Sequence, residues 1–564
     1  MHILCFLGLI TKIGYKGTTF FLFMQIKLKK FAYLRIFLYL CTRKMIQKIL
    51  KHSKWTILYL VWMCGIIILY ASFVLDPEVR QELILYNSLY TLLVPPLFAF
   101  TSGKMRTWGL IVFSIFAIPA MLIETGWFLI DQSTLIRNQF WAIFATNPEE
   151  AFGLLSMFQV WQWMIIIGFL AISLTLLALA IKESRDTTHR LRSTIALIGI
   201  ACLCLIPDIR YNVPCINLYN SYRGYRKELK MAQQFLSNRQ DISGLVVNEF
   251  KEEKATIVVI IGESLTRNHC SLYGYCRPTT PKLDCRNDIV VYQNVVAPDF
   301  MTQTVLQKVL TFADEEHPEA RWNSPTLPEL LNAAGWHTYW YDPYEGRNNT
   351  SKTIPTSFSS IAKLCTSYYL CSDDEQYDGA YLQHLNTIVQ DSTADRKAVF
   401  LHLIGNHFPY KWRYPKPFAY FTNDDICSSF AGQLSDKQKE IINAYDDAVR
   451  YNDWFVDSVL NILCNQPGSC AMLYFSDHGE EVFDNELYSG RSFNHITNGL
   501  YEIPCLFWQN DVNARCHPLS KYPDKPYCTG NMIHTLLDLF AVSYSQKDTC
   551  RSLFRQESYG STNE

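Results

Sequence analysis

The sequence predicts a membrane-spanning helical region followed by a doubly wound α/β domain, and three observations predict it. No Asp or Glu precedes Asp76, and long apolar runs continue until Pro207. Beyond Lys254, short apolar runs alternate with amphipathic stretches, the pattern of a mostly parallel sheet covered on both faces. Of 18 cysteines, those from Cys215 onward form the majority, a density that points to disulfides and an oxidising compartment for the second half. At 564 residues the chain exceeds one ordinary domain, and its balance of 51 basic and 52 acidic residues argues against a nucleic-acid binder.

Five segments are read as reaching spanning length: Trp55–Leu75, Leu85–Phe100, Trp108–Ile130, Trp163–Ile181 and Ser193–Ile206. The second and fifth are short, and Pro95-Pro96 is expected to kink or break the second. Basic residues gather in the leader through Lys54, at Lys104 and Arg106, and at Lys182, Arg185, Arg190 and Arg192. All of them share one side if the amino terminus is cytoplasmic, and an odd number of spans then places residues beyond about 208 outside the cytoplasm. Residues 1–54 read as a basic cytoplasmic extension, with Met24 and Met45 as alternative starts; 55–207 form the membrane domain, with an outer loop at 131–162. Residues 208–254 read as an amphipathic helical tether (Tyr219–Ser237, then Asp241–Phe250), and 255–564 as the α/β domain.

Within the outer loop, Asn147-Pro148-Glu149-Glu150 resembles a helix start with two carboxylates in its first turn. It admits two readings, an interfacial helix on the bilayer, or a segment whose Asn147 and Glu150 face the site and hold a lipid amine or the acceptor.

In the second half, strands are expected at Thr256–Ile261, Ile289–Val296, Trp336–Tyr341, Ala398–Leu403, Ala471–Phe475 and Pro504–Trp508. Helices are expected at Thr302–Phe312, Leu327–Ala334, Asp436–Leu463 and Asn531–Phe540. Open α/β sheets place ligands at the carboxyl ends of their strands. There stands Glu263, after the β-branched run Thr256–Ile261 and Gly262. Thr302 opens a helix, where it is either an N-cap or a hydroxyl set in the positive end of the helix dipole. Asp477 and His478 end another apolar strand, as zinc ligands or as a structural hydrogen bond. His402 alternates with core residues and reads as packing, whereas His407 lies beyond Gly405 in a loop and can reach substrate; His495 is a weaker candidate. Together Glu263, Thr302, Asp477 and His478 offer three oxygens and a nitrogen to a tetrahedral zinc ion, which would turn the threonine hydroxyl into a nucleophile.

These motifs, Ile260-Ile-Gly-Glu-Ser264, Ser271-Leu-Tyr-Gly-Tyr-Cys-Arg-Pro-Thr-Thr-Pro281, the Thr302 segment through Asp314, Gly405-Asn-His407 and Tyr474-Phe-Ser-Asp-His-Gly-Glu-Glu481, resemble the phosphoethanolamine transferases. The likeness is greatest to the subgroup that decorates lipopolysaccharide core sugars, within the alkaline phosphatase and sulfatase superfamily. It covers roughly residues 55–550. The resemblance implies a monomeric, zinc-dependent inner-membrane enzyme with a periplasmic catalytic domain. Thr302 is then the zinc-held nucleophile, Glu263, Asp477 and His478 complete the metal site, and His407 contacts the phosphoryl group or acts as an acid. Phosphatidylethanolamine is the implied donor and a lipopolysaccharide core sugar or lipid A the implied acceptor. Two departures stand out: Asp342-Pro343 replaces an Asn-Gln pair, and no residue matches a further histidine of the lipid A-modifying members, a place His495 is the candidate to fill. Rival readings are a phosphoglycerol transferase, a sulfatase using Cys276-Arg-Pro-Thr-Thr280, and a non-catalytic membrane scaffold.

Overall fold

The computed structural model describes residues 53–555 apart from 75–76, 132–134, 136–154, 156–157, 185–189, 238–241, 243–245, 342–367, 371–376 and 493–494. Asn147 and Glu150 lie outside the described residues. The chain divides in the main into two compact units, one ending at Asn220 and one beginning at Ser221.

The first unit is helical: α1 (Lys54–Ala71), α2 (Pro77–Phe100), α3 (Gly103–Asp131), α4 (Val160–Glu183), α5 (Arg190–Cys204), α6 (Pro207–Asn212) and the start of α7 (Pro214–Ser237). Among the described residues, α1 to α4 are long and apolar enough to cross a membrane. The fifth expected span, Ser193–Ile206, coincides with α5, of which 15 residues are described, and α6 follows from Pro207. Pro95 and Pro96 do not break α2, which runs through both. Leu69, Trp108, Ile115, Val160 and Met164 face outward, an apolar exterior suited to lipid. The helices meet through hydroxyls whose second partner is backbone: Tyr59 Oη lies 2.6 Å from Ser114 Oγ, and Trp62 Nε1 donates to Ser173 Oγ at 3.0 Å.

The second unit is built on a seven-stranded sheet. Its strands are β1 (Ala255–Gly262), β2 (Val290–Tyr292), β3 (His337–Tyr341), β4 (Tyr368–Leu370), β5 (Arg396–His402), β6 (Ser469–Ser476) and β7 (Cys505–Gln509), in the order β2-β7-β6-β1-β5-β3-β4. The pairs β6-β1, β1-β5, β5-β3 and β3-β4 are parallel, while β7 runs antiparallel to β6 and β2. The unbroken apolar run of β1 is buried at every residue because both faces are covered. Ile257, Val259 and Ile261 join one core with α8 (Thr302–Leu310), α9 (Leu327–Ala333) and α12 (Met532–Leu539). Val258 and Ile260 join the other with α10 (Tyr381–Gln390) and α11 (Asp436–Cys464). The doubly wound expectation therefore holds.

Two local expectations fail. The helix expected over Asp241–Phe250 is replaced at Val247–Asn248 by a strand that pairs with Val542–Ser543, so this part of the tether is sheet edge. The strand expected over Ile289–Val296 is two strands, β2 in the main sheet and Val295–Val296 paired with Tyr527–Cys528. Among the described residues, Cys276 bonds to Cys427, while Cys270, Cys464 and Cys470 are free thiols.

The segment following β1 is clamped to α11 by buried charge. His269 Nδ1 meets Asp446 Oδ1 at 2.5 Å, and His269 Nε2 lies 3.2 Å from Asp484 Oδ2. Arg277, beside the disulfide, donates to Asp446 Oδ2 at 2.7 Å and to Asn443 Oδ1 at 2.9 Å. Burial works against the imidazolium of His269, but Asp484 and Asp446 more than reverse it and push the pKa up to about 10. Raised above the unfolded value of about 6.5, this group contributes stability that is fully present below about pH 6.5 and is lost as pH rises through about 10. Chemical unfolding of the full chain across that window checks it. Wild type should lose stability steadily, while His269→Gln should lose much less of it after starting about 3 kcal/mol lower at pH 6.

Candidate active site

Three parallel strands end together. Ile261 pairs with His402 on one side and Phe475 on the other, and Gly262 pairs with Ser476. The next residues therefore emerge side by side: Glu263 after β1, the Gly405 turn after β5, and Asp477-His478 after β6. Asn406 N donates to Glu263 O at 2.9 Å, and Asp477 N to Gly262 O at 2.9 Å, which ties the three ends to one another. Ser264 adopts a φ of 57°, an uncommon conformation for a residue with a Cβ. It is held there because its N–H donates to Asp477 Oδ1 at 3.1 Å and its hydroxyl to Glu263 Oε1 at 2.7 Å.

Thr302 is the first residue of α8, whose N-cap is Met301 with no side-chain cap bond. The N-cap reading of Thr302 is thereby set aside. Its hydroxyl donates to Glu263 Oε2 at 3.1 Å and lies 3.2 Å from His478 Nε2. His478 Nδ1 donates to Gly479 O at 2.7 Å, so the proton sits on Nδ1 and Nε2 presents a lone pair to the site. Nε2 stands 3.3 Å from Asp477 Oδ2 and 3.4 Å from Glu263 Oε1. One ligand atom from each of Glu263, Asp477 and His478 lies within 4.8 Å of the others, and all three residues are buried.

The charges explain what the cluster asks for. Burial alone would raise Glu263, but the surrounding His478, His407 and Arg491 more than reverse it and hold this carboxyl well below its usual range. Asp477 goes the other way, pushed well above its usual range by burial and then by the charge of Glu263. Its Oδ2 is buried and makes no hydrogen bond among the described residues. Two carboxylates, an imidazole lone pair and a hydroxyl with one oxygen unsatisfied form a donor set that fits a small divalent cation.

His407 sits beside this group. Burial pushes its pKa down to about 4, Glu263 opposing and Arg491 and Arg413 reinforcing, and its Nδ1 donates to Phe408 O at 2.8 Å. His402 is buried on β5, as expected of a packing residue. His495 does not join the cluster: its Nδ1 bonds Glu486 Oε2 at 2.6 Å and its ring stacks on Tyr488 at 4.0 Å. Cys276 is in a disulfide, which removes the thiol that a sulfatase-type nucleophile would need. Sequence reasoning missed Arg491, whose guanidinium reaches His478, and Glu480, 3.5 Å from it. A lone Arg after a glycine carries no signal of its own. Glu480 is signalled only by its place two residues beyond His478.

Gly405, with φ of +50°, passes so close to β1 that a Cβ would meet Glu263 O at 2.7 Å and Glu263 N at 2.8 Å. Gly405→Ala should therefore lower stability by roughly 2–4 kcal/mol. Gly432→Ala, where a Cβ meets nothing within 4 Å, should stay within about 0.5 kcal/mol. Denaturant midpoints of the two variants decide it.

Known proteins match both the fold and the site region. Phosphoethanolamine transferase EptC of Escherichia coli (strain K12) is 33% identical over 348 residues, 59% of this chain and 59% of that protein. The chain thus spans less than two thirds of that relative's length. The zinc complex of the C-terminal periplasmic domain of EptC from Escherichia coli aligns at 32% identity and a TM-score of 0.50, covering 56% of this chain and 89% of that one. The integral membrane protein lipooligosaccharide phosphoethanolamine transferase A from Neisseria meningitidis aligns at a TM-score of 0.62 over 89% of this chain and 98% of that one. At 16% identity that likeness is one of fold. The family profile described as Sulfatase matches residues 255–542, just over half of the sequence, and on that match this chain belongs to the sulfatase family, in the alkaline phosphatase and sulfatase superfamily.

Proposed function

We propose that this chain is a membrane-anchored phosphoethanolamine transferase that works through a covalent phosphothreonine. The observation that carries the reading is the Thr302 hydroxyl. It opens a helix, takes no part in capping it, and is held between Glu263 and His478. The similarity to EptC supports the transferred group.

In the proposed reaction Thr302 Oγ1 attacks the phosphorus of phosphatidylethanolamine. A P–O bond forms and the P–O bond to diacylglycerol breaks. The Thr302 hydroxyl, oriented by its hydrogen bond to Glu263 Oε2, gives up its proton as Oγ1 attacks, and the diacylglycerol oxygen takes up a proton as it leaves. The N-terminal N–H groups of α8 face the phosphoryl oxygens as their charge grows. A hydroxyl or phosphate of a lipopolysaccharide acceptor, core sugar or lipid A, then attacks the phosphothreonine and restores Thr302. His407, neutral because burial disfavours imidazolium, has its Nδ1–H committed to Phe408 O. Its chemistry suits it to accept the proton of the incoming hydroxyl at Nε2 rather than to act as an acid. Glu263, Thr302, Asp477 and His478 would hold a zinc ion, which when bound lowers the pKa of the threonine hydroxyl and stabilises phosphoryl charge.

Membrane anchoring fits a donor that stays in the bilayer. The apolar helices and the periplasmic placement named for the EptC domain support an inner-membrane protein whose catalytic unit faces the periplasm, and we propose that it acts as a monomer. Asn147 and Glu150 are proposed to face that site from the outer loop.

Intact-protein mass after incubation with phosphatidylethanolamine tests the proposal. Wild type should gain one phosphoethanolamine, and Thr302→Ala should gain none; an adduct that survives this substitution sinks the assignment. Zinc content gives a separate check, because Asp477→Asn should weaken zinc binding by at least about 100-fold in competition with a chelator.

A further inference from the structure

The turn that carries His407 can be followed one backbone N–H at a time. Leu403 N donates to Ile261 O at 2.9 Å and Asn406 N to Glu263 O at 2.9 Å, which ties the turn to β1. His407 N closes it on Ile404 O at 3.1 Å. The two N–H groups between go instead to one carboxylate: Ile404 N donates to Asp378 Oδ1 at 2.8 Å and Gly405 N to Asp378 Oδ2 at 3.0 Å. Successive N–H groups that converge on an anion form a nest, an arrangement more familiar around phosphate. Gly405, with φ of +50°, supplies the left-handed residue.

Asp378 is buried and belongs to a short helical turn, Asp378–Ala380, just before α10. That turn is itself fixed. Gly379 N donates to Tyr451 Oη of α11 at 3.0 Å, and a Cβ on Gly379 would meet the same hydroxyl at 2.5 Å. The packing of α11 is thus carried through Asp378 into the turn. A buried N–H without an acceptor is costly, so the turn keeps its shape while both oxygens of Asp378 are present. Beyond it, Arg413 Nε donates to His407 O at 2.6 Å and His407 Nδ1 to Phe408 O at 2.8 Å. Once the turn is set, the imidazole has little freedom left.

We propose that Asp378 is a positioning residue for the second half of the reaction: by taking the N–H groups of Ile404 and Gly405 it sets the turn that holds His407 toward the incoming acceptor. The anchoring of the turn rests on this geometry alone; the effect on transfer rests on the part given to His407 in the proposed reaction. Gly262 O is held by Asp477 N, and Thr302 is placed by the start of α8. Formation of the phosphothreonine therefore does not depend on Asp378.

The experiment uses the full chain in detergent, with Asp378→Asn, the charge-preserving Asp378→Glu, His407→Ala and the double variant Asp378→Asn/His407→Ala beside wild type. Asn offers one acceptor oxygen and sets an amide N–H against the other backbone donor. Hydrogen exchange read by mass comes first. The segment 403–408 should exchange about 100-fold faster in Asp378→Asn, with the β1 segment 256–261 unchanged; wild-type protection of 403–408 overturns the anchoring. If Asp378→Asn loses β1 as well, Asp378→Glu decides in its place, with about tenfold faster exchange expected over 403–408 alone.

The phosphothreonine form is then chased with purified lipopolysaccharide, which carries both proposed acceptors, and its loss is followed by mass. Asp378→Asn should slow that loss about 30-fold and adduct formation less than about threefold, with part of the rate restored in Asp378→Glu. In the His407→Ala background the same substitution should slow the loss less than about threefold further. An equal effect in both backgrounds would show Asp378 acting other than through His407 and overturns the assignment. If wild type forms no adduct, or passes none on, the transferase reading fails and the effect on transfer with it, while the exchange comparison still decides whether Asp378 holds the turn.

Discussion

The structure depends on one unfavourable juxtaposition: two carboxylates, Glu263 and Asp477, brought together at the buried ends of adjacent parallel strands. The register of β1 with β6 leaves no other place for them. Neither is exposed to water, so their charge must be met from within. One is held ionised by the groups around it, the Arg491 guanidinium among them, while the other is forced toward its protonated form. Cationic and donor groups nearby can be understood as answers to that imbalance, and so can the fitness of the cluster for a metal ion. A buried pair of like charges costs stability. A protein retains such a pair where a cation is to be bound, since the cation offsets the repulsion between the two carboxylates.

The scaffold around this point is correspondingly stiff. Both faces of β1 are packed, the Gly405 turn lies against the backbone of Glu263, and the segment after β1 is bound to α11 through His269, Asp446 and Arg277. The Cys276–Cys427 disulfide closes the far side of that clamp. Such placement agrees with an oxidising compartment, and it gives Cys276 a structural role where a sulfatase would use a thiol for chemistry. Thr302 needs no comparable clamp of its own. Its position follows from the start of α8, whose apolar stripe Val305, Leu306, Val309 and Leu310 is buried against the sheet.

Much of this was legible in the sequence where local pattern and tertiary context agree. The β-branched run before Gly262 can only be a strand buried on both sides, and Glu263, Thr302, Asp477 and His478 each follow or open an element with strong periodicity. Legibility ended where a residue's role is set by distant partners. Arg491 lies in an irregular segment, and nothing in its neighbours shows that it reaches His478. Asp241–Phe250 has a helical pattern, yet Val247–Asn248 is drawn into a strand by the edge offered at Val542–Ser543. Among the described residues the short β4 pairs with β3, and its sequence is too brief to carry a period. Cys276 and Cys427 are 151 residues apart, a pairing that spacing cannot disclose. In the helical unit, apolar composition marks where a helix lies but not its ends, which is why Ser193–Ile206 is offset by a few residues from the helix Arg190–Cys204.

The central claim is that four side chains from three separate strand and helix ends gather about one cation, with the threonine hydroxyl among them. Crystals of the zinc-loaded protein, measured at wavelengths on either side of the zinc absorption edge, test this most directly. The account predicts one strong anomalous peak bounded by Glu263, Asp477, His478 Nε2 and Thr302 Oγ1, each at about 2.0–2.2 Å. A peak elsewhere in the unit with none in this cluster, or one here with the threonine oxygen more than about 4 Å away, would contradict it.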